Sequence, residues 1–490
     1  MEQVNLRPYQ KIAIADVRQC FGDGMKRVMV YSPTGSGKGE IAVALAQFAS
    51  LRNKRCLFLV HRKDLVKQQW ERFQKYGMVT GILQGKNTWK PHSPITVGSI
   101  QTLASRKKFG WEFDFDMVIV DEAHLCAGSK HYIELFRSWS NVPIIGLSAT
   151  PFSKGLGKQH SWGKLFQHMT IVSTIQKLID DGFLVDCEIY APSEPDLRGV
   201  KVVAGDYHQK QLGDAVDKLE LIGDIVKHWF KLAEHRQTIV FATNINHSKH
   251  IVEQFKAQGI NAAHCDCYMP EGDRNDMIDA FKEGKIQVLS NVSLFAEGFD
   301  APATSCMILA RPTKSLIRYI QMVGRVLRPA EGKGKALVLD HSGSVARLGF
   351  PTDDLPLELD DGKPNTADKT ENKPKEPKIC PKCKYIGKVR FHSCPKCGFT
   401  PPKKEITPVE VIEGTLEKIS KISAEKKQEI FSGLITIAHH RGYQEGWISH
   451  KYKSITGVWP KGLQRVSGPV PDYVQKKILA DQIRWSKRRK

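Results

Sequence analysis

No uncharged apolar stretch in these 490 residues is long enough to span a bilayer, so a membrane protein is not expected. The start, MEQVNLRPYQ, is polar and offers no apolar run of the kind a signal peptide needs. Cysteine is sparse, eleven in all, and seven of these fall in apparent strands and helices, such as Cys56 in CLFLV and Cys306 in CMILA. A small buried thiol suits such places, and nothing in this usage points to an oxidising compartment. The expected location is therefore the cytoplasm. Acidic residues are also short: 52 Asp+Glu face 73 Lys+Arg, a net charge of +21. Residues 381–490 hold +14 of this, with 23 Lys+Arg against 9 Asp+Glu, which leaves +7 on the first 380. So local a basic excess suits a polyanionic partner, nucleic acid being the commonest. The bland alternative is a solvated tail that aids solubility.

Apolar content of 41% and a length that allows two or three domains leave room for ordinary cores. RVMVYS, CLFLVH, ITVGS, MVIVDE and PIIGLS read as buried strands, and GEIAVALAQFASL and KDLVKQQWERFQKY have helical periodicity. The alternation restarts after residue 215, with TIVFA, INAAHC and IQVLSN separated by amphipathic helices. Two α/β domains in tandem are expected, each a parallel sheet wrapped by helices, at 1–155 and 216–345, with 156–215 as a connector. Residues 346–378, rich in Pro, Asp and Lys, read as a flexible linker; a cysteine module follows at 379–401 and a basic helical module at 405–490.

SPTGSGKGE, residues 32–40, stands between a strand and a helix, the context of a phosphate cradle. Thr34, Gly35, Ser36 and Gly37 would curl the backbone so that N–H groups face a phosphate, and Lys38 would add a mobile positive charge. One thing is missing. Where a serine or threonine hydroxyl is normally found to hold magnesium, this chain has Gly39. Its backbone N–H is kept, and magnesium readily retains water in place of a protein ligand. Downstream, VIVDEAH puts Asp121 and Glu122 at the end of an apolar strand, where a parallel sheet presents its ligand-binding groups. Asp121 can hold magnesium through water, and Glu122 can orient and deprotonate an attacking water; the alternative is a pair that merely caps the next turn.

Together these strings resemble a superfamily 2 helicase of the DEAH-box type. LRPYQ is similar to the Q motif, which implies that Gln10 reads the adenine edge with Arg7 nearby. LVHRKDLVKQQ and TVGSIQTLA resemble strand-contacting motifs, and Ser148, Ala149 and Thr150 the motif that links hydrolysis to movement. IVFATNINHS, LFAEGFDAP and QMVGRVLRP resemble the later motifs. The resemblance implies Gly298 and Asp300 on the ribose and magnesium side, and Gln321, Arg325 and Arg328 facing the γ-phosphate. It covers residues 3–345 in the expected order and looks closest to RadD-type DNA repair helicases and their phage-encoded relatives. It implies two RecA-like domains, ATP and magnesium as cofactors, and a bacterial cell or phage-infected host as the setting. Arginines on the second domain would let nucleotide close the cleft and hydrolysis reopen it.

CPKCKYIGKVRFHSCPKCGF supplies Cys380, Cys383, Cys394 and Cys397, two C-x-x-C pairs whose thiolates suit a closed, structural zinc site. His392 is read as a surface residue, and Lys382, Lys384, Lys388, Arg390 and Lys396 make the module a candidate nucleic-acid surface. In the last module, two helices are expected to meet at Gly442, and Tyr443, Trp447, Tyr452, Lys453 and Trp459 interleave aromatics with cations in a manner that suits stacking on unpaired bases. The alternative is that Trp447 and Trp459 form the core of a small bundle. The function expected is an ATP-dependent translocase or helicase, on DNA rather than RNA, in replication, repair or recombination. Two rivals stand beside it: a nucleotide-gated clamp with little turnover, and the motor of a restriction system. Residues 379–490 show no carboxylate–lysine constellation of a nuclease.

Overall fold

The computed structural model describes residues 3–90, 92–108, 114–191, 195–203, 205–295, 301–363, 378–387, 391, 393–400, 424–456, 459–460, 462–475 and 477–478. Chain contacts divide it into two compact units, residues 1–401 and 402–490.

The first unit holds two parallel sheets. The strands of the first are β1 (Arg27–Tyr31), β2 (Cys56–Val60), β3 (Thr80–Leu83), β4 (Ile95–Ser99), β5 (Met117–Asp121), β6 (Ile144–Ser148) and β7 (His168–Ile171). They lie in the order β3-β4-β2-β5-β6-β1-β7, every pair parallel. All five residues of β1, β2, β4 and β6 are buried, which explains why these strands read as unbroken apolar runs: helices cover both faces. The second sheet comprises β8 (Cys187–Tyr190), β9 (Thr238–Phe241), β10 (Ala262–Cys265), β11 (Val288–Asn291), β12 (Cys306–Leu309) and β13 (Ala336–Asp340), in the order β8-β13-β12-β9-β11-β10. Trp229, on the helix Leu219–Leu232 that packs on this sheet, is fully buried and donates its indole N–H to Thr238 Oγ1 at 2.7 Å, so that the ring is sunk in the core without losing its hydrogen bond. The apolar core beneath helices Pro8–Gly22 and Lys38–Ser50 continues through Leu184 and Ile189 into the second domain.

Two segments differ from the expectation. The stretch 156–215 is more than a connector: β7 extends the first sheet beside β1, and β8 forms the edge of the second beside β13. Both strands have only four residues, and β7 (HMTI) is half polar, too short for period-two alternation to show. Residues 346–363 pack against the body of the protein. Leu355 and Leu359 lie on its apolar cores, Gly155 N–H donates to Asp360 Oδ1 at 2.8 Å, and Gly157 N–H donates to the Asp360 carbonyl at 2.7 Å. Composition alone hid this, because two leucines and a few backbone bonds fix a strand of chain that is otherwise polar. The remainder of the expected linker, 364–377, lies outside the described residues.

In the second unit, helices Ala424–Arg441 and Glu445–Thr456 pack around Phe431, Leu434, Ile448 and Tyr452, joined by a bend at Gly442 with φ +65°. No helix among the described residues is long and apolar enough to cross a membrane.

Candidate active site

The phosphate-loop sequence makes a cradle between β1 and the helix Lys38–Ser50. Gly35 and Gly37 have φ of +88° and +81°, the left-handed region where a side chain is strained. Space is tight as well: a Cβ on Gly35 would lie 2.6 Å from Leu184 Cδ2, and one on Gly37 would displace Gln10 Nε2. Ser36 is buried and turned inward, its hydroxyl bonding Ser32 Oγ and the Pro33 carbonyl, both at 2.6 Å. Beneath the loop, Gln10 donates to the carbonyls of Ser36 at 2.8 Å and Gly37 at 3.2 Å and accepts from Arg7 N–H at 2.8 Å. The amide expected to read adenine is thus committed to bracing the loop and the start of its own helix. Arg7 lines the cavity, with its guanidinium 4.5 Å above the Phe183 ring and bonded to the Tyr9 hydroxyl. Phe183 and Leu184, which wall the cradle, went unnoticed in the sequence because they belong to the connector and to no motif.

β5 delivers the acidic pair. Glu122 has φ +49° and ψ +47°, a left-handed conformation rare for a side chain of this size, which bends the chain sharply out of the strand. Lys38 Nζ lies 2.8 Å from Asp121 Oδ1 and 2.5 Å from Glu122 Oε1. Burial pushes the Glu122 carboxyl up, but the Lys38 ammonium and His124 outweigh it and hold the group well below the usual carboxylate range. Burial likewise disfavours the Lys38 ammonium, yet Asp121 and Glu122 raise its pKa above the ordinary lysine value. Glu122 Oε2 makes no hydrogen bond among the described residues, although His124 Nδ1 lies 3.3 Å away. His124 Nδ1 is also 3.1 Å from Ser148 Oγ, which accepts from Thr150 N–H at 3.0 Å; Thr150 Oγ1 in turn accepts from Gln321 Nε2 at 3.5 Å. A polar chain therefore runs from His124, in ion-pair range of Glu122, to the second domain.

That domain closes the site. Gly324, at the end of the helix Leu316–Val323, sits so near the phosphate loop that a Cβ there would be 2.6 Å from Thr34 Cβ. Arg325 and Arg328 line the same cavity of about 460 Å³ as Thr34, Gly35, Gly37, Lys38, Gly39, Asp121, Glu122 and Gln321. A curled loop, converging cations and a buried carboxylate oxygen with no donor suit a polyphosphate with its metal and a water to be activated. Gly298 and Asp300 lie outside the described residues.

Known proteins carry the same frame. The family described as "Type III restriction enzyme, res subunit" matches residues 3–153, and "Helicase conserved C-terminal domain" matches residues 217–330. The chain is an SF2-type helicase. It is related to restriction-enzyme and DNA-repair helicases. It is 28% identical over 396 residues to the "51.5 kDa protein" of a Lactococcus phage, which covers 80% of this chain and 82% of that one. It is 30% identical over 372 residues to the "Putative ATP-dependent helicase IRC3" of Saccharomyces cerevisiae, covering 71% of this chain; the helicase spans only 53% of that relative's length. Among solved structures, the ATP-dependent Type ISP restriction-modification enzyme LlaBIII bound to DNA superposes with a TM-score of 0.52 at 18% identity, over 69% of this chain and 28% of that one, a likeness of fold.

The helicase carries a second candidate centre. Cys380, Cys383, Cys394 and Cys397 bring their sulfurs within 4.8 Å of one another. The 380–397 and 383–394 sulfur pairs are 3.7 and 3.6 Å apart, close to the roughly 3.8 Å edge of a tetrahedron with Zn–S bonds of about 2.3 Å. Burial raises the Cys380 thiol, but backbone N–H groups of Cys383 and Lys382 bring it down to about 6, towards the thiolate a metal needs. The cluster could bind zinc. It is seated on the open edge of β8: Tyr385 bridges Tyr190, Ala191 N–H donates to the Lys384 carbonyl at 3.1 Å, and Lys396 pairs with Glu188. Lys396 is thus engaged in docking the module; Lys388, Arg390 and His392 lie outside the described residues. In the C-terminal unit, Tyr452 is buried and Trp447 packs on the core with Tyr443, whereas Trp459 is 44% exposed with Lys453 Nζ 4.6 Å from its ring centroid.

Proposed function

We propose that this helicase is a motor that moves along DNA, opening and closing the cleft between its two domains in step with ATP hydrolysis. The observation that supports this reading most is the polar chain Glu122–His124–Ser148–Thr150–Gln321, because it joins the group placed to activate water to the domain that must move. In this reading Lys38 leaves its pair with Asp121 and Glu122 to meet the phosphates. The freed Glu122 then accepts the water's proton: with the Lys38 ammonium withdrawn, it loses the charge that holds its pKa down and becomes a better base. Asp121 holds the hydration shell of magnesium, which when bound draws negative charge from the phosphate oxygens. Arg325 and Arg328 meet the charge that develops on the γ-phosphate, so the closed cleft is the reactive one. Arg7 and Phe183 frame the base.

DNA is favoured by the basic excess over residues 381–490 and by the likeness to restriction-enzyme proteins, one of them solved with DNA. The finer likeness to RadD-type repair helicases rests on the strings GFDAP and GRVLRP joined to a cysteine module, with zinc as its structural metal and the cytoplasm as its setting. The clamp reading is favoured by Gly39 alone, and the restriction-motor reading by the match over residues 3–153. Strand displacement and translocation measured with ATP on single-stranded, duplex and forked DNA and on RNA separate a motor from a clamp. ATP-dependent movement on DNA supports the motor; binding that switches with nucleotide, without movement or turnover, supports the clamp.

A further inference from the structure

Gly39 is not an empty place. A Cβ on it would overlap Nη1 and Cζ of Arg72, with Nε at 3.0 Å, so the guanidinium occupies the volume a serine or threonine side chain would fill. Arg72 comes from the helix Asp64–Lys75, whose residues Leu65, Gln68, Gln69 and Arg72 all line the nucleotide cavity. Spacings of three and four put them on a single helical face. Two groups on that face are unspent. Arg72 makes no hydrogen bond or ion pair among the described residues, and Gln69, only 7% exposed, has a buried Oε1 with no donor.

We infer that Arg72 is a phosphate-binding residue of this site, standing in for the hydroxyl that Gly39 lacks. The inference rests on the reading of the cavity as the ATP site. The substitution changes the chemistry. A hydroxyl in this position is a metal ligand, whereas a guanidinium has five N–H donors and no lone pair to give. It acts on the anion directly, as a fixed fork matched to phosphate oxygens. Part of the charge neutralisation that other such loops leave to magnesium is therefore built into the chain, and nucleotide binding depends less on the metal. A side chain at Gly39 would displace the guanidinium from this place, so the glycine and the arginine go together; the Gly39 backbone is not in the left-handed region, so strain is not the reason.

The test is equilibrium binding of ATP and ADP, by calorimetry, with magnesium and with EDTA, to the full chain and to Arg72→Ala, Arg72→Lys, Gly39→Thr and Arg72→Ala/Gly39→Thr. Removing a charge-assisted hydrogen bond of this kind is worth on the order of tenfold to a hundredfold in affinity. Arg72→Ala should lose about that much in EDTA and distinctly less with magnesium. Arg72→Lys should fall between, because it keeps the charge but not the fork. Gly39→Thr should make binding more magnesium-dependent, and the double variant should bind well only with the metal. Thermal melting of each variant checks folding, and Arg72→Lys carries the test if the alanine variant melts early. Arg72→Ala and Arg72→Lys binding like the parent in both conditions overturns the inference while leaving the ATP site standing; a parent chain that binds neither nucleotide overturns the ATP-site reading itself.

Discussion

Glu122 carries the chemistry because three neighbours define it: Lys38 on one oxygen, His124 near the other, and a left-handed backbone that turns it out of β5. Glu122→Gln should therefore lower ATP hydrolysis by on the order of a hundredfold to ten-thousandfold, the range for loss of a general base, while ATP still binds. Steady-state turnover beside equilibrium binding checks this, and turnover near the parent rate would reassign the base. The pair also has a pH signature. With Glu122 held below its ordinary value of about 4.5, its contribution to stability is present above that pH and lost as pH falls through the depressed value. Lys38, raised above its ordinary 10.5, keeps its contribution below that pH and loses it only as pH rises through the raised value. The melting-temperature difference between the parent and Lys38→Met should thus be flat between about pH 5 and pH 9. A step near pH 6 or 7 would mean that another group governs the pair. The loop and the acidic pair were legible because their spacing along the chain is itself the signal. Arg72 and Phe183 were not, since each reaches the site only through the fold.

Between elements, the two domains approach each other closely at a glycine. Gly324 has ordinary helical dihedrals, so a side chain there would be unstrained in itself and would clash only with Thr34 across the cleft. Gly324→Val should leave the first domain's nucleotide affinity close to normal but lower turnover by roughly a hundredfold, the scale of an ångström-sized misplacement. Unchanged turnover would mean that the reactive cleft is wider than the one seen here. The cysteine module makes the second prediction at this scale. One zinc per chain should be found by elemental analysis, and Cys394→Ser/Cys397→Ser should lose it and loosen the module from β8, read as faster hydrogen exchange at Cys187–Tyr190. Protein prepared without chelators and free of zinc would contradict the assignment. The C-x-x-C spacing announced the cluster, whereas its seat on a sheet edge did not show, because backbone pairing between distant segments leaves no mark in side-chain pattern.

At the scale of the whole molecule, charge is divided as the function requires. Residues 402–490, a compact unit by their own contacts, carry 18 Lys+Arg against 9 Asp+Glu. Removing them should leave ATP binding intact, weaken DNA binding and flatten its salt dependence, by about 0.7–0.9 in the log–log slope for each phosphate no longer neutralised. Equal slopes for full-length and shortened chains would turn the basic unit into a surface for something other than nucleic acid. The most direct test of the account is the ATP hydrolysis rate of the full chain with and without DNA, beside Lys38→Ala and Glu122→Gln. The account predicts hydrolysis that DNA stimulates and that both substitutions lower by on the order of a hundredfold or more. No hydrolysis with any nucleic acid, or DNA-stimulated hydrolysis near the parent rate in Glu122→Gln, would contradict it.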